Sequence, residues 1–74
     1  MSDARLTNRL RLWRTKKDLT QAELAQLAGV SRKTINTVEN GVFVPSVQLA
    51  LVLARTLETT VEELFQVSPA REKR

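Results

Sequence analysis

Seventy-four residues make one small domain, near the size at which a single hydrophobic core is marginal and association of copies adds stability. The chain has no Cys and no His, which excludes disulfides, thiol chemistry and the usual zinc ligand sets and leaves an enzyme without its commonest acid, base and nucleophile. Net charge is +4, and the excess lies in residues 1–40, where eight Lys and Arg face four acids, whereas residues 41–74 hold four of each. Such an asymmetry suits a polyanionic partner.

In chain order, the first predicted helix spans about Ala4 to Lys17, with Ser2 or Asp3 as its cap. Leu6, Leu10 and Trp13 recur at helical spacing and form its core stripe, with Leu12 off that stripe. Arg9 and Arg11 read as general charge, and Lys16 and Lys17, beside the next helix, as candidate phosphate contacts.

Thr20 followed three residues later by Glu23 is a capping box, which opens a second helix carrying Ala22, Leu24, Ala25, Leu27 and Ala28. Gly29 can adopt positive φ and end it sharply. Ser31 is a favoured N-cap for a third helix that runs to about Asn40, with Gly41 as its stop. Two short helices around a glycine turn make a helix-turn-helix unit.

The third helix is two-faced. At about 100° per residue, Arg32, Asn36, Asn40, Lys33 and Thr37 fall on one arc, and Thr34, Val38 and Ile35 on the opposite one. Most polar helix faces are simply solvated, but this arc carries cations and amides and no acid, and it follows a turn that lets the helix project. Arg and Lys suit guanine O6 and N7 in a major groove, and Asn suits adenine N6 and N7.

Pro45-Ser46 opens a fourth helix with Leu49, Ala50, Leu53, Ala54 and Leu57 facing inward. Its longest apolar run, Leu49–Ala54, is six residues, far short of a membrane span, and no secretory signal pattern is present. Thr60 and Glu63 form a second capping box for a short fifth helix through Phe65. Glu62 and Glu63 are better explained by the helix dipole than as paired catalytic carboxylates. Val42, Val44, Val52, Val61, Phe65 and Val67 exceed what one small core can hide. They predict a two-fold homodimer, with Val44, Val52, Val61, Phe65 and Val67 at its interface. Residues 1–74 are expected to form a single domain with its core at about 4–67 and a flexible tail at 68–74.

The stretch TQAELAQLAGVSRKTINTVENG, residues 20–41, closely resembles the helix-turn-helix of the Cro/C1-type, or XRE, transcriptional regulators. Gln21, Ala25, Gly29, Val30, Ser31, Ile35, Glu39, Asn40 and Gly41 match at the family spacing, and the likeness covers about residues 5–66. It is strongest to the short, single-domain branch. The resemblance implies an all-α, five-helix, lambda-repressor-like domain with the motif at helices 2–3, and a short C-terminal strand at the dimer interface. It also implies that Gln21 holds a phosphate, that Arg32, Lys33, Asn36 and Thr37 contact base edges, and that Asn40 meets the backbone; Thr20, beside Gln21, is a further candidate phosphate contact. Arg14 is expected to pair with Glu39 as a structural tie between the first and third helices. The chain departs from the family at Asp18, where many members carry Gly, and at Val42 and Val44, where members often carry Lys or Asn.

The expected function is therefore sequence-specific binding of double-stranded DNA by a homodimer at an inverted-repeat operator, most simply as a repressor, without a cofactor, metal, membrane or evident small-molecule effector. A cytoplasmic, nucleoid-associated regulator of a bacterium, archaeon or phage is implied. An antitoxin-like protein-interaction module that binds DNA secondarily is the alternative, disfavoured because no disordered arm or second domain is legible to wrap a partner.

Overall fold

A computed structural model describes residues 4–69. The elements run β1 (Ala4–Asn8), α1 (Leu10–Lys16), α2 (Gln21–Ala28), α3 (Arg32–Glu39), α4 (Val47–Thr56), α5 (Val61–Leu64) and β2 (Phe65–Pro69). Five helices enclose a core of Leu10, Leu24, Ala25, Ile35, Val38, Leu53, Ala54, Leu57 and Leu64, with Trp13, Leu19, Leu49, Val61 and Phe65 packed around it. The helices follow one another in the five-helix order that the resemblance implies, extended by a two-stranded antiparallel ribbon.

The caps behave as local chemistry dictates. Thr20 and Glu23 form both halves of their box, Thr20 Oγ1 accepting from the Glu23 N–H at 3.0 Å and Glu23 Oε1 from the Thr20 N–H at 2.8 Å. Ser31 and Ser46 accept from the N–H groups of Thr34 and Leu49 at 3.1 and 3.0 Å. At α5 only the forward half forms, Thr60 Oγ1 accepting from the Glu63 N–H at 3.1 Å.

Four helices end on a left-handed residue: Asp18 (φ 57°), Gly29 (φ 75°), Gly41 (φ 74°) and Glu58 (φ 59°). In each case the next N–H reaches back to the last turn, as Val30 does to Ala25 O at 3.0 Å. Asp18 thus takes the conformation that the family's glycine suggests. Glu58 is the less expected choice, since a left-handed non-glycine residue costs about 1–2 kcal/mol. Its carboxylate pairs with Lys17, which joins the ends of α1 and α4.

The start of the chain departs from expectation. Residues 4–8 form β1, not the first turns of a helix, and α1 begins only at Leu10. The anticipated caps, Ser2 and Asp3, lie outside the described residues. Two features decide it. Arg5 and Thr7 alternate with Leu6 at strand period, and β2 supplies a partner in the register Leu6↔Val67 and Asn8↔Phe65. Asn8 then starts α1, its Oδ1 accepting the Leu10 N–H at 3.0 Å. Leu6 therefore leaves the core stripe and stands 39% exposed on the ribbon, whereas Leu10 is fully buried. At the other end Phe65 opens β2 instead of closing α5, and β2 includes residues 68 and 69, where a tail was expected.

Leu6, Phe65 and Val67 share one face of the ribbon, and Arg5, Thr7 and Gln66 the other. The apolar face continues into a shallow groove of about 300 Å³ lined by Leu6, Val44, Pro45, Val47, Leu51, Val61 and Phe65. Val44, Val47, Leu51 and Val67 remain 66%, 78%, 57% and 68% exposed there or beside it. No helix among the described residues is long and apolar enough to cross a membrane.

Candidate nucleic-acid interface

Ile35 and Val38 are buried and clamp α3 to the core, which turns the opposite arc outward. Arg32, Lys33, Asn36 and Asn40 are exposed on that arc, and Thr37 is half-buried. Thr37 is the least available of the proposed base readers, because its hydroxyl donates to Thr34 O at 2.9 Å. Asn8 braces the far end of α3, its amide donating to Val38 O at 3.0 Å.

Beneath the arc lies Glu39, whose side chain is wholly shielded from solvent. Arg14, itself only 12% exposed at the side chain, holds it through Nε to Oε2 at 2.6 Å and Nη2 to Oε1 at 3.3 Å. Arg14 Nη1 also donates to Leu19 O at 2.8 Å, so one guanidinium ties α1, the α1–α2 turn and α3 together. Burial raises the Glu39 pKa. Hydrogen bonds from Arg14 and Gln21, the Arg14 charge and a bond from Arg11 outweigh it and hold the carboxyl below its ordinary range.

Glu39 also organises the surface. Its Oε1 accepts from Gln21 Nε2 at 3.1 Å and from Arg11 Nε at 3.3 Å. Gln21 Nε2 donates again to Asn36 Oδ1 at 3.2 Å, Arg11 Nη2 donates to Asn40 Oδ1 at 3.3 Å, and Asn40 Nδ2 donates to Asn36 Oδ1 at 3.3 Å. A closed ring of five side chains, from α1, α2 and the end of α3, thus brings Gln21, Asn36 and Asn40 onto one surface. Arg11 was legible only as a surface charge, and nothing in its immediate sequence context marks it as part of the ring.

The remaining candidates sit less simply. The Thr20 side chain is engaged in its own capping box. Lys16 Nζ lies 4.3 Å from the centre of the Trp13 ring, and Lys17 pairs with Glu58, so a phosphate must compete with these partners. Among the described residues no group of His, Cys, Asp and Glu could hold a metal.

The helix-turn-helix family HTH_3 matches residues 10–64, from the start of α1 to the end of α5. An uncharacterized HTH-type transcriptional regulator of Archaeoglobus fulgidus is 42% identical over 60 residues, covering 81% of this chain and 86% of that protein. One from Methanocaldococcus jannaschii is 38% identical over 60 residues, covering 81% of this chain and 91% of its own length. Among solved structures, the restriction-modification controller protein C.AhdI from Aeromonas hydrophila shares 39% identity at a TM-score of 0.69, over 73% of this chain and 82% of that one. SinR, a master regulator for biofilm formation solved in complex with DNA, shares 26% identity at a TM-score of 0.67, over 72% and 86%. These are regulators and not enzymes. The fold, the outward polar arc of α3 and these relatives together make the chain a member of the HTH_3, XRE-type family of DNA-binding transcriptional regulators.

Proposed function

We propose that the chain is a homodimeric repressor that binds an inverted-repeat operator in the cytoplasm, with α3 of each copy in successive major grooves. The observation that carries this reading is the outward, acid-free arc of Arg32, Lys33, Asn36 and Asn40, with Thr37 half-buried at its edge, braced from below by the buried Glu39. Arg32, Lys33 and Asn36 read base edges, with Thr37 in a lesser part. Gln21, Thr20 and Asn40 set the register on phosphates, and Lys16 and Lys17 add long-range attraction. Both amide hydrogens of Gln21 already have partners in Asn36 and Glu39. The phosphate contact at the start of α2 therefore falls mainly to the first-turn backbone N–H groups that the Thr20 cap does not occupy, those of Gln21 and Ala22.

Dimerisation is supported by the apolar face that joins the ribbon to α4. A two-stranded ribbon alone is marginal in water, and its apolar residues continue into the groove beside Val44, Leu51 and Val61. In this reading Val44, Val61, Phe65 and Val67 form the interface, with Val52 at its margin in the adjoining hollow between α4 and α5.

Selection of binding sites from random duplexes tests the proposal. The expected product is an inverted repeat whose half-site centres lie about 34 Å apart. A lone unpaired half-site, or no consensus at all, would contradict it.

A further inference from the structure

We propose that Asn36 is held as a donor-only reader, so that the base beneath it in the operator is guanine and not adenine. The inference rests on the reading of α3 as the base-contacting helix, and follows from the polarity of the side-chain ring.

The two neighbouring amides cannot turn freely. The Glu39 carboxylate, paired with Arg14, only accepts hydrogen bonds, so Gln21 must present its NH₂ group to it. That same NH₂ supplies the bond to Asn36. On the other side the Arg11 guanidinium only donates, so Asn40 must turn its carbonyl oxygen towards Arg11. The Asn40 NH₂ then faces Asn36. Both neighbours therefore offer donors to Asn36, at 3.2 Å and 3.3 Å, and Asn36 meets them with its Oδ1.

A carbonyl oxygen has two lone pairs, and here each has a partner. What Asn36 keeps for an incoming duplex is its NH₂ group, with two hydrogens and no free acceptor. In the major groove guanine presents two acceptors, N7 and O6, whereas adenine presents the N7 acceptor beside the N6 donor. Bidentate reading of adenine would need Oδ1 to give up a bond from the ring. Thymine offers one acceptor beside a methyl group, and cytosine offers a donor. Guanine is the base that both hydrogens of Asn36 can satisfy with the ring intact.

The experiment compares wild type, Asn36→Ala and Arg11→Ala on selected operator duplexes in which each half-site position is varied through all four bases. Asn36 and Arg11 are exposed, the latter 62% at its side chain, so both variants keep the fold. The position whose base preference collapses in Asn36→Ala is the one Asn36 reads. Guanine is expected there, favoured over adenine by about tenfold in wild type. Arg11→Ala releases the Asn40 amide, and the guanine-to-adenine ratio at that position is expected to fall towards one. A purely phosphate-binding or structural Arg11 would lower affinity for both duplexes equally and leave the ratio unchanged, which would overturn the inference. Adenine at that position, or a preference that survives Asn36→Ala at every position, would overturn it too. If wild type selects no consensus, the base-reading proposal falls and this inference with it, a failure visible before any variant is made.

Discussion

Arg14→Met is expected to lower the unfolding free energy by about 3–5 kcal/mol, because it strands a buried carboxylate without its main cation. Against a total of about 4–11 kcal/mol for a domain of this length, that loss is close to unfolding. Arg11 and Gln21 still touch Glu39 and place the effect at the lower end of the range. Arg14→Met combined with Glu39→Met is expected to be more stable than Arg14→Met alone, since removing both charges leaves neither unpaired.

The pH dependence follows from the same pair. Glu39 has a lower pKa folded than unfolded, so its contribution is complete above the ordinary Glu range and is lost as pH falls through the folded value. The stability gap between wild type and Arg14→Met should be full at neutral pH and narrow in acid, where protonated Glu39 no longer needs a cation. Glu58, held low by Lys17, titrates in the same window in both proteins and cancels in the difference. Urea denaturation at neutral and acidic pH measures both. A gap below about 1 kcal/mol, the level of an exposed ion pair, would contradict the structural tie.

Leu51→Glu is expected to convert the proposed dimer into a folded monomer. Leu51 is 57% exposed on α4 at the edge of the groove shared with Val44, Val61 and Phe65, so Glu costs the monomer little and keeps helix propensity. In a two-fold interface the substitution places two charges in an apolar contact. A monomer must engage half-sites separately and forfeits the effective concentration supplied by its partner, an expected loss of about 10²–10⁴ in operator affinity. Sedimentation at matched concentration, with circular dichroism as a check on folding, reads the outcome. A variant that sediments as wild type does would place the interface elsewhere.

Much of this molecule was legible because its signals are local. Thr20 with Glu23, Ser31 and Ser46 are caps whose partners lie three residues away, and Gly29 needs only its own φ. The amphipathic arc of α3 was readable from helical spacing alone. The strand β1 was not, since Leu6, Leu10 and Trp13 fit a helix equally well and the deciding partner, β2, lies at the other end of the chain. Glu58 in a left-handed conformation likewise involves Lys17, forty-one residues away. The pairing of Arg14 with Glu39 came from family resemblance. The wider ring through Arg11, Gln21, Asn36 and Asn40 depends on three helices converging, and no window of sequence contains it.

Base reading by α3 is distinguishable from mere phosphate holding. Its most direct test is the ratio of affinities for the selected operator and for random duplex, measured for wild type and Arg32→Ala at one fixed salt concentration. Arg32→Ala is expected to cost about 1–3 kcal/mol on the operator and to leave random duplex nearly unchanged, so that the ratio falls by about 5- to 150-fold. An equal loss on both duplexes would assign Arg32 to the phosphate backbone and contradict base reading.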